Sequence, residues 1–393
     1  MRLLRQLVIV SLIALACSPD GTAPIPPQKF AAVSSGFLHT CGILSEGAAL
    51  CWGDNAVGEV GNGSVSTVEP SPASVQGLFL FIQIDVGDRQ SCGLVPSGAA
   101  YCWGLSDEGA LGSDTSTRSA VPVPVSGHLT FKQISAGWNY TCGLTTRGMA
   151  YCWGLNDYGK LGSDTPSAKT PVPVAGGHVF TAITTGQYHT CAIATNGSAY
   201  CWGAGRGGEL GTGDSVDSPT PVLVMGGLQF RAIDAAWGHT CAISTAGAAY
   251  CWGGGADGEL GDGSRAFRYV PVAVSGNHRF SAIAVGLHHS CGIATSGQLF
   301  CWGSNSSDQL GTAASETCTD AASPYQCSSI PILVSGAQLF EGVSAGGFHT
   351  CAIARGGGAF CWGQNDRGQI GNGVTGGMVA RPSPVPEPVV PVS

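Results

Sequence analysis

The chain has 393 residues, a formal net charge of −8 and 61 glycines, and only 11% of it is charged. With no cluster of lysine and arginine, it lacks the basic footprint that a nucleic-acid backbone requires, and nucleic acid is not expected among its partners. A charged fraction this far below the usual quarter fits a glycine-rich all-β chain whose polar surface is built from Ser, Thr, Asn and backbone.

Residues 1–16 read as a signal peptide, because Arg2 and Arg5 precede the apolar run from Leu7 to Ala16. The run is too short to span a bilayer. Ala14-Leu15-Ala16-Cys17 resembles the bacterial lipoprotein box, with Ala14 standing where leucine is usual. In that reading Cys17 is lipidated and becomes the first residue, and the membrane is met only through this anchor. Ordinary cleavage near Ala16 is the alternative. Residues 17–29, with Pro19, Pro24, Pro26 and Pro27, form a tether to a domain over 30–393. The protein is therefore expected at the bacterial cell envelope or outside the cell.

Export also makes sense of the seventeen cysteines, since thiols pair and persist in an oxidising compartment. Apart from Cys17, fourteen fall in pairs ten residues apart: Cys41 with Cys51, Cys92 with Cys102, Cys142 with Cys152, Cys191 with Cys201, Cys241 with Cys251, Cys291 with Cys301 and Cys351 with Cys361. Cys318 and Cys327 make an eighth pair and leave nothing over. Between the members of each ten-residue pair lies a three-residue turn ending in glycine, such as Ser45-Glu46-Gly47 or Thr195-Asn196-Gly197. A type I turn closed by a left-handed residue favours glycine there. Counting outward from the turn sets Cys41 opposite Cys51, close enough for a disulfide.

Cys-Trp-Gly recurs at a period near fifty, with one long interval. Each period contains a Pro/Val strand such as Val121–Val125, a strand such as Phe131–Ala136, and the two strands of the hairpin. Four short strands per unit make a propeller blade, and proline restricts the Pro/Val strand to a sheet edge. The first unit begins at Phe30 without a preceding Pro/Val strand, while Ser383–Val392 follows the last hairpin. The fold class expected is therefore all-β, a seven-bladed propeller of four-stranded blades, closed by the C-terminal strand joining the N-terminal blade.

Trp202-Gly203 followed by Gly208-Glu-Leu-Gly-Thr-Gly213, after Ala-Gly-x-x-His-Thr-Cys elements, resembles the regulator of chromosome condensation repeat. The resemblance runs from residue 30 to about 390 and implies a seven-bladed propeller. Members of that family are nucleotide-exchange factors for a small GTPase, chromatin binders, domains of ubiquitin ligases and a secreted bacterial inhibitor of beta-lactamases. The export signal and cysteine staples of this chain argue against exchange activity and chromatin binding.

His39, His189, His239, His289 and His349 each stand two residues before a cysteine, a pattern that suggests zinc. Gln90 and Tyr140 occupy the same position in two units, so the position reads as a packing and hydrogen-bonding site, and no metal or other cofactor is expected. A disulfide has no thiolate, which removes a Cys/His nucleophile. Asp107, Asp157 and Asp366 occupy equivalent loop positions and read as turn residues. The chain is not expected to be an enzyme.

Recognition remains. The turn before each histidine and the loop after each Cys-Trp-Gly emerge on one face of the ring, and the glycine hairpin turns on the other. On the first face two residues per unit vary while their surroundings repeat, and the candidate binding residues are Phe37, Asp88, Arg89, Trp138, Asn139, Gln187, Tyr188, Trp237, Leu287, His288 and Phe348. The insertion over 312–327, stapled by Cys318 and Cys327, lies on the same face. These features predict a monomeric, non-catalytic binding module for a protein or an envelope glycan. The alternatives are a hydrolase or lyase acting on polysaccharide from a central channel, or an inhibitor of a secreted enzyme.

Overall fold

The computed structural model describes residues 29–114, 117–319 and 323–385. The expected signal peptide, Cys17 and all of the expected tether but Lys29 lie outside the described residues. Seven antiparallel sheets follow one another along the chain. The first blade consists of β1 (Phe30–Ser35), β2 (His39–Leu44), β3 (Ala49–Asp54) and β4 (Val68–Ser74), paired in that order. The other six repeat this plan, and one sheet gains a fifth strand from the insertion. The first strand of every blade lines a central channel and the proline-bearing fourth lies outermost. An outer edge needs no donor from proline, which explains where the Pro/Val segments sit.

The hairpins form as the glycine turns predict. In the first, the Leu44 N–H donates to the Ala48 carbonyl at 2.8 Å, and Gly47 takes φ +94°, a conformation that L side chains rarely adopt. Cys41 then faces Cys51 in the ladder, with Cα atoms 4.0 Å apart.

All eight expected disulfides are present. Cys41 is bonded to Cys51, Cys92 to Cys102, Cys142 to Cys152 and Cys191 to Cys201. Cys241 is bonded to Cys251, Cys291 to Cys301 and Cys351 to Cys361. Each of these seven bridges joins the two middle strands of a single blade, and the eighth, Cys318 to Cys327, closes the insertion.

The core lies between blades rather than within them. Tyr140, Leu144 and Ala150 of the third blade pack with Phe180, Ile183 and Trp202 of the fourth, and each of the seven Cys-Trp-Gly tryptophans is fully buried in such a seam. Burying an indole of this size is worth on the order of 4 kcal/mol. Each indole N–H also donates to a loop carbonyl of the preceding blade, as Trp103 does to Glu59 at 2.8 Å and Trp202 to Lys160 at 3.0 Å. The Gly-x-Leu-Gly loop signature follows from this packing. Gly61 has φ +75°, and a Cβ there would come within 2.6 Å of the Trp103 indole nitrogen.

Closure of the ring departs from the expectation. Met378–Pro384 pairs with Ala359–Gln364 of the last blade, Ser383 lying opposite Cys361, while the first blade has its own outer strand in Val68–Ser74. The Pro/Val segment belongs to the hairpin before it, not to the one after. Most of the expected closing segment, from 386 onward, lies outside the described residues. The ring closes through a seventh seam like the rest, in which Trp52 donates to the Gln369 carbonyl at 2.9 Å.

Candidate binding face and channel mouth

The histidine position is a joint between blades. His39 Nε2 lies 2.9 Å from Ser91 Oγ of the next blade, and that hydroxyl donates to the Glu59 carbonyl, the same oxygen that receives Trp103. His189, His239, His289 and His349 pair likewise with Thr240, Ser290, Thr350 and Thr40. Where histidine is absent, Gln90 reaches the Gly137 and Tyr140 carbonyls, and the Tyr140 hydroxyl reaches the His189 carbonyl. Burial pushes all five histidines down to about 3 or 4, so they stay neutral.

Immediately before each joint, a short turn carries the two variable residues. In the first blade Gly36 N–H closes this turn onto the His39 carbonyl at 2.9 Å. Neighbouring turns are also linked by backbone bonds, such as Gln187 N–H to Ala236 at 3.1 Å and Gly347 N–H to Gly36 at 3.0 Å. The side chains at the channel mouth therefore project from a rigid frame.

Five of them form a closed circuit of rings. Centroids lie 6.2 Å apart for Phe37 and Trp138, 5.9 Å for Trp138 and Trp237, 5.8 Å for Trp237 and His288, 6.0 Å for His288 and Phe348, and 6.1 Å for Phe348 and Phe37. Tyr188 stacks on Trp138 and continues to Tyr158, over which Arg206 lies. Trp237 is 38% exposed and the other four members of the circuit are half-buried. Leu287 also lines the mouth. Gln187, by contrast, is buried, and Asn139 takes φ +56°, which identifies it as a turn residue.

Two charged clusters flank the circuit. Arg89 approaches Glu59 at 3.9 Å and Arg367 approaches Asp54 at 3.9 Å. Burial pushes Asp88 up to about 6, with Arg89 opposing and Asp54 reinforcing the rise. On the other side His288 Nδ1 lies 2.8 Å from Asp257 Oδ2. Burial works against protonation of His288, but the hydrogen bond and charge of Asp257, helped by Glu259, hold it above its ordinary value.

The insertion joins this second cluster. Glu316–Thr319 and Pro324–Leu333 pair as a ribbon on the sixth blade. Tyr325 donates from its hydroxyl to Asp257, and Arg265 of the fifth blade donates to the Thr317 carbonyl at 3.0 Å. A chain of contacts thus runs from insertion to ring circuit through Tyr325, Asp257, His288 and Trp237.

Several participants were not among the candidates drawn from the sequence. Lys160 is fully buried, and its Nζ donates to the carbonyls of Trp138 at 3.1 Å and Gln187 at 3.4 Å, 4.9 Å from the Tyr140 ring centroid. Burial brings it down to about 8 although Asp157 opposes this. The equivalent Glu59, Glu209 and Glu259 instead accept an N–H of their own loop. Without that acceptor, the Lys160 loop folds as a short 3-10 turn with Tyr158 at φ +58°, one step from the stack on Tyr188. The departure of Lys160 from the Glu/Gln pattern was the available signal.

Behind the circuit the channel encloses about 360 Å³. Asp85 and Asp234 line it, raised by burial to about 6 and about 7. Each accepts an N–H of the next blade, from Ala136 at 2.7 Å and Val285 at 2.8 Å, and a hydroxyl of the preceding one, from Ser34 and Thr184. Ser34, Thr184 and Ser344 hold a backbone N–H of the next blade from the same strand position. The carboxylates therefore clasp neighbouring blades of the ring.

The family model for the RCC1-like domain matches residues 14–331, and that for the regulator of chromosome condensation (RCC1) repeat matches 340–369. The chain is 35% identical to the mouse regulator of chromosome condensation over 108 residues, 28% of this chain and 24% of that protein. It is 32% identical to the human probable E3 ubiquitin-protein ligase HERC3 over 96 residues, 24% of this chain. That match spans only 9% of the ligase's length. Among solved structures, Prp20p of Saccharomyces cerevisiae, described with its binding to Gsp1p and histones, superposes with a TM-score of 0.77 at 22% identity. The superposition covers 91% of this chain and 87% of Prp20p, a likeness of fold.

Proposed function

Because the chain belongs to the family of RCC1-like domains, we propose that it is a non-catalytic binding module that recognises a folded protein through the aromatic mouth of its propeller. The observation that carries this reading is the closed circuit of Phe37, Trp138, Trp237, His288 and Phe348 on a hydrogen-bonded frame. Rigid aromatic side chains give large contact area at small entropic cost, and buried aromatic and arginine anchors dominate protein interfaces. Prp20p, described as binding Gsp1p and histones, supports a binding role for this fold. Arg89 and the His288–Asp257 pair supply directional contacts at the rim.

The protein works in an oxidising compartment in this reading, which its eight disulfides favour, held at the envelope by lipid on Cys17. Cys17→Ser should move it from the membrane to the soluble fraction, and an unmodified mature terminus by mass spectrometry would refute the anchor. For the site, the wild-type chain should capture a partner from envelope extract that Trp138→Ala with Trp237→Ala does not. Capture of glycans rather than protein, lost in the same variant, would replace the protein partner by a sugar; turnover of a polysaccharide blocked by Asp85→Asn would overturn the binding reading.

A further inference from the structure

The strand order sends the start of every first strand and the hairpin turns to the face opposite the aromatic mouth. This face is charged in the other sense. Lys29, Lys132, Arg147, Arg231, Arg279 and Arg355 are exposed on it, against two anions, Glu46 and Glu341. The chain as a whole carries −8, and the mouth face bears the excess of acid, including Asp54, Asp88, Asp157 and Asp257.

The cations are interleaved with aliphatic side chains. A buried phenylalanine opens the first strand of six blades and, as Phe81, stands two residues before that of the second; it is flanked by two outward positions. Lys29, Lys132, Arg231 and Arg279 hold one of them in four blades, Leu80 and Ile82 hold both in the second, and Val179 and Leu339 hold one in the fourth and seventh; the others are small or polar, with Glu341 the one anion. Leu80, Ile82, Val179 and Leu339 are all exposed. Lys132 and Arg231 also cap carbonyls of the next blade, those of Phe180 and Phe280, which holds their charge at the rim.

We propose that this face rests on an anionic lipid surface, so that the membrane is met by the face itself and not only through the anchor expected at Cys17. Basic side chains beside exposed aliphatic ones suit the boundary between headgroups and acyl chains, where each cation near the surface and each buried apolar side chain adds to binding. Lys29 on this same face stands twelve residues after Cys17, a separation of at most about 37 Å for an extended proline-rich segment. A lipid at Cys17 would bring this face, and not the acidic one, to the bilayer. The aromatic mouth then points away from the membrane. The proposal holds whichever partner the mouth takes, and it is tested without the lipid.

Residues 18–393 contain every blade and carry no acyl chain. In sedimentation with phosphatidylglycerol vesicles this chain should bind, more weakly as salt rises, and should ignore phosphatidylcholine vesicles. Lys29→Glu with Arg147→Glu and Arg355→Glu should weaken binding on the order of a hundredfold. Arg118→Glu, Lys169→Glu and Arg381→Glu make the same change in net charge away from the face and should leave binding within about twofold. Leu80→Ser with Ile82→Ser should weaken it by about tenfold, with an unchanged melting temperature. Absence of binding, equal loss in the two charge-reversed chains, or equal binding to both lipids would overturn the proposal. Binding to heparin but not to vesicles would assign the face to a soluble polyanion instead.

Discussion

The blade seams and the channel mouth are built from adjacent residues and obey opposite rules. At the seam, Trp103, Trp153, Trp202 and their equivalents are all buried and make one bond seven times over. Two positions before each joint the side chain changes along the chain, from Phe37 to Asp88, Trp138, Gln187 and Trp237. Trp202 and Trp237 are the same residue type in the two settings, one with no exposed surface and the other 38% exposed. The repeated parts hold the frame so that the varied parts are free to differ.

Substitution separates the two most sharply. Trp202→Ala leaves a cavity in a seam and takes one of two donors from the Lys160 carbonyl, which keeps the Thr190 hydroxyl, and should cost about 3–5 kcal/mol of stability in thermal or denaturant unfolding. Trp138→Ala and Trp237→Ala should each cost more than about 1 kcal/mol of partner affinity by calorimetry, with melting temperature unchanged. A large fall in melting temperature from the mouth pair would show that the circuit is core rather than contact surface.

Proton linkage offers a finer contrast within the frame. The buried histidines titrate near 3 or 4 when folded and near 6.5 when unfolded. The unfolded chain therefore takes up protons that the folded chain refuses, and their share of stability, full above about pH 6.5, is lost as pH falls toward about 3. Asp234 has the opposite sign, because its folded value of about 7 lies above its ordinary 3.8. Its share is full below about pH 4 and is lost as pH rises through about 7. Melting temperature measured from pH 4 to 8 should show a flatter acid limb for His239→Gln, a side chain the equivalent position accepts at Gln90, and a smaller loss toward high pH for Asp234→Asn. Parallel curves for wild type and both variants would refute these assignments. The smallest effect belongs to the hairpin tips, where Asn196→Ala should change neither partner affinity nor melting temperature measurably.

The repeating part of this molecule is legible in its sequence because one local cause recurs. Gly47 and its equivalents close a turn, the turn sets Cys41 against Cys51, and the spacing then delivers blades. The same count outward sets Cys191 against Cys201, Cys241 against Cys251 and Cys291 against Cys301, so each bridge could be assigned before any fold was known. The phase of the repeat is not legible in the same way. A Pro/Val segment stands between two hairpins, and only its ladder with Cys102 or Cys152 decides which one it joins. At the mouth, the variable pairs include all five members of the circuit. Their contacts were hidden, since Phe37 meets Trp138 across an intervening blade and Tyr325 meets Asp257 across sixty-eight positions of chain. The burial of Gln187 and the left-handed backbone of Asn139 were equally hidden.

The way the ring closes bears on how such a molecule changes over generations. Among the described residues each blade from Phe30–Ser74 onward is formed from consecutive strands, and no sheet borrows a strand from the opposite end. The repeating unit of sequence therefore coincides with the unit of folding. Copying or deleting one repeat adds or removes a whole blade together with its disulfide and its one varied turn, and leaves no sheet short of a strand. Binding surface and ring size can be altered by the same genetic event, whereas a ring latched by strand exchange would have to keep its two ends matched at every step.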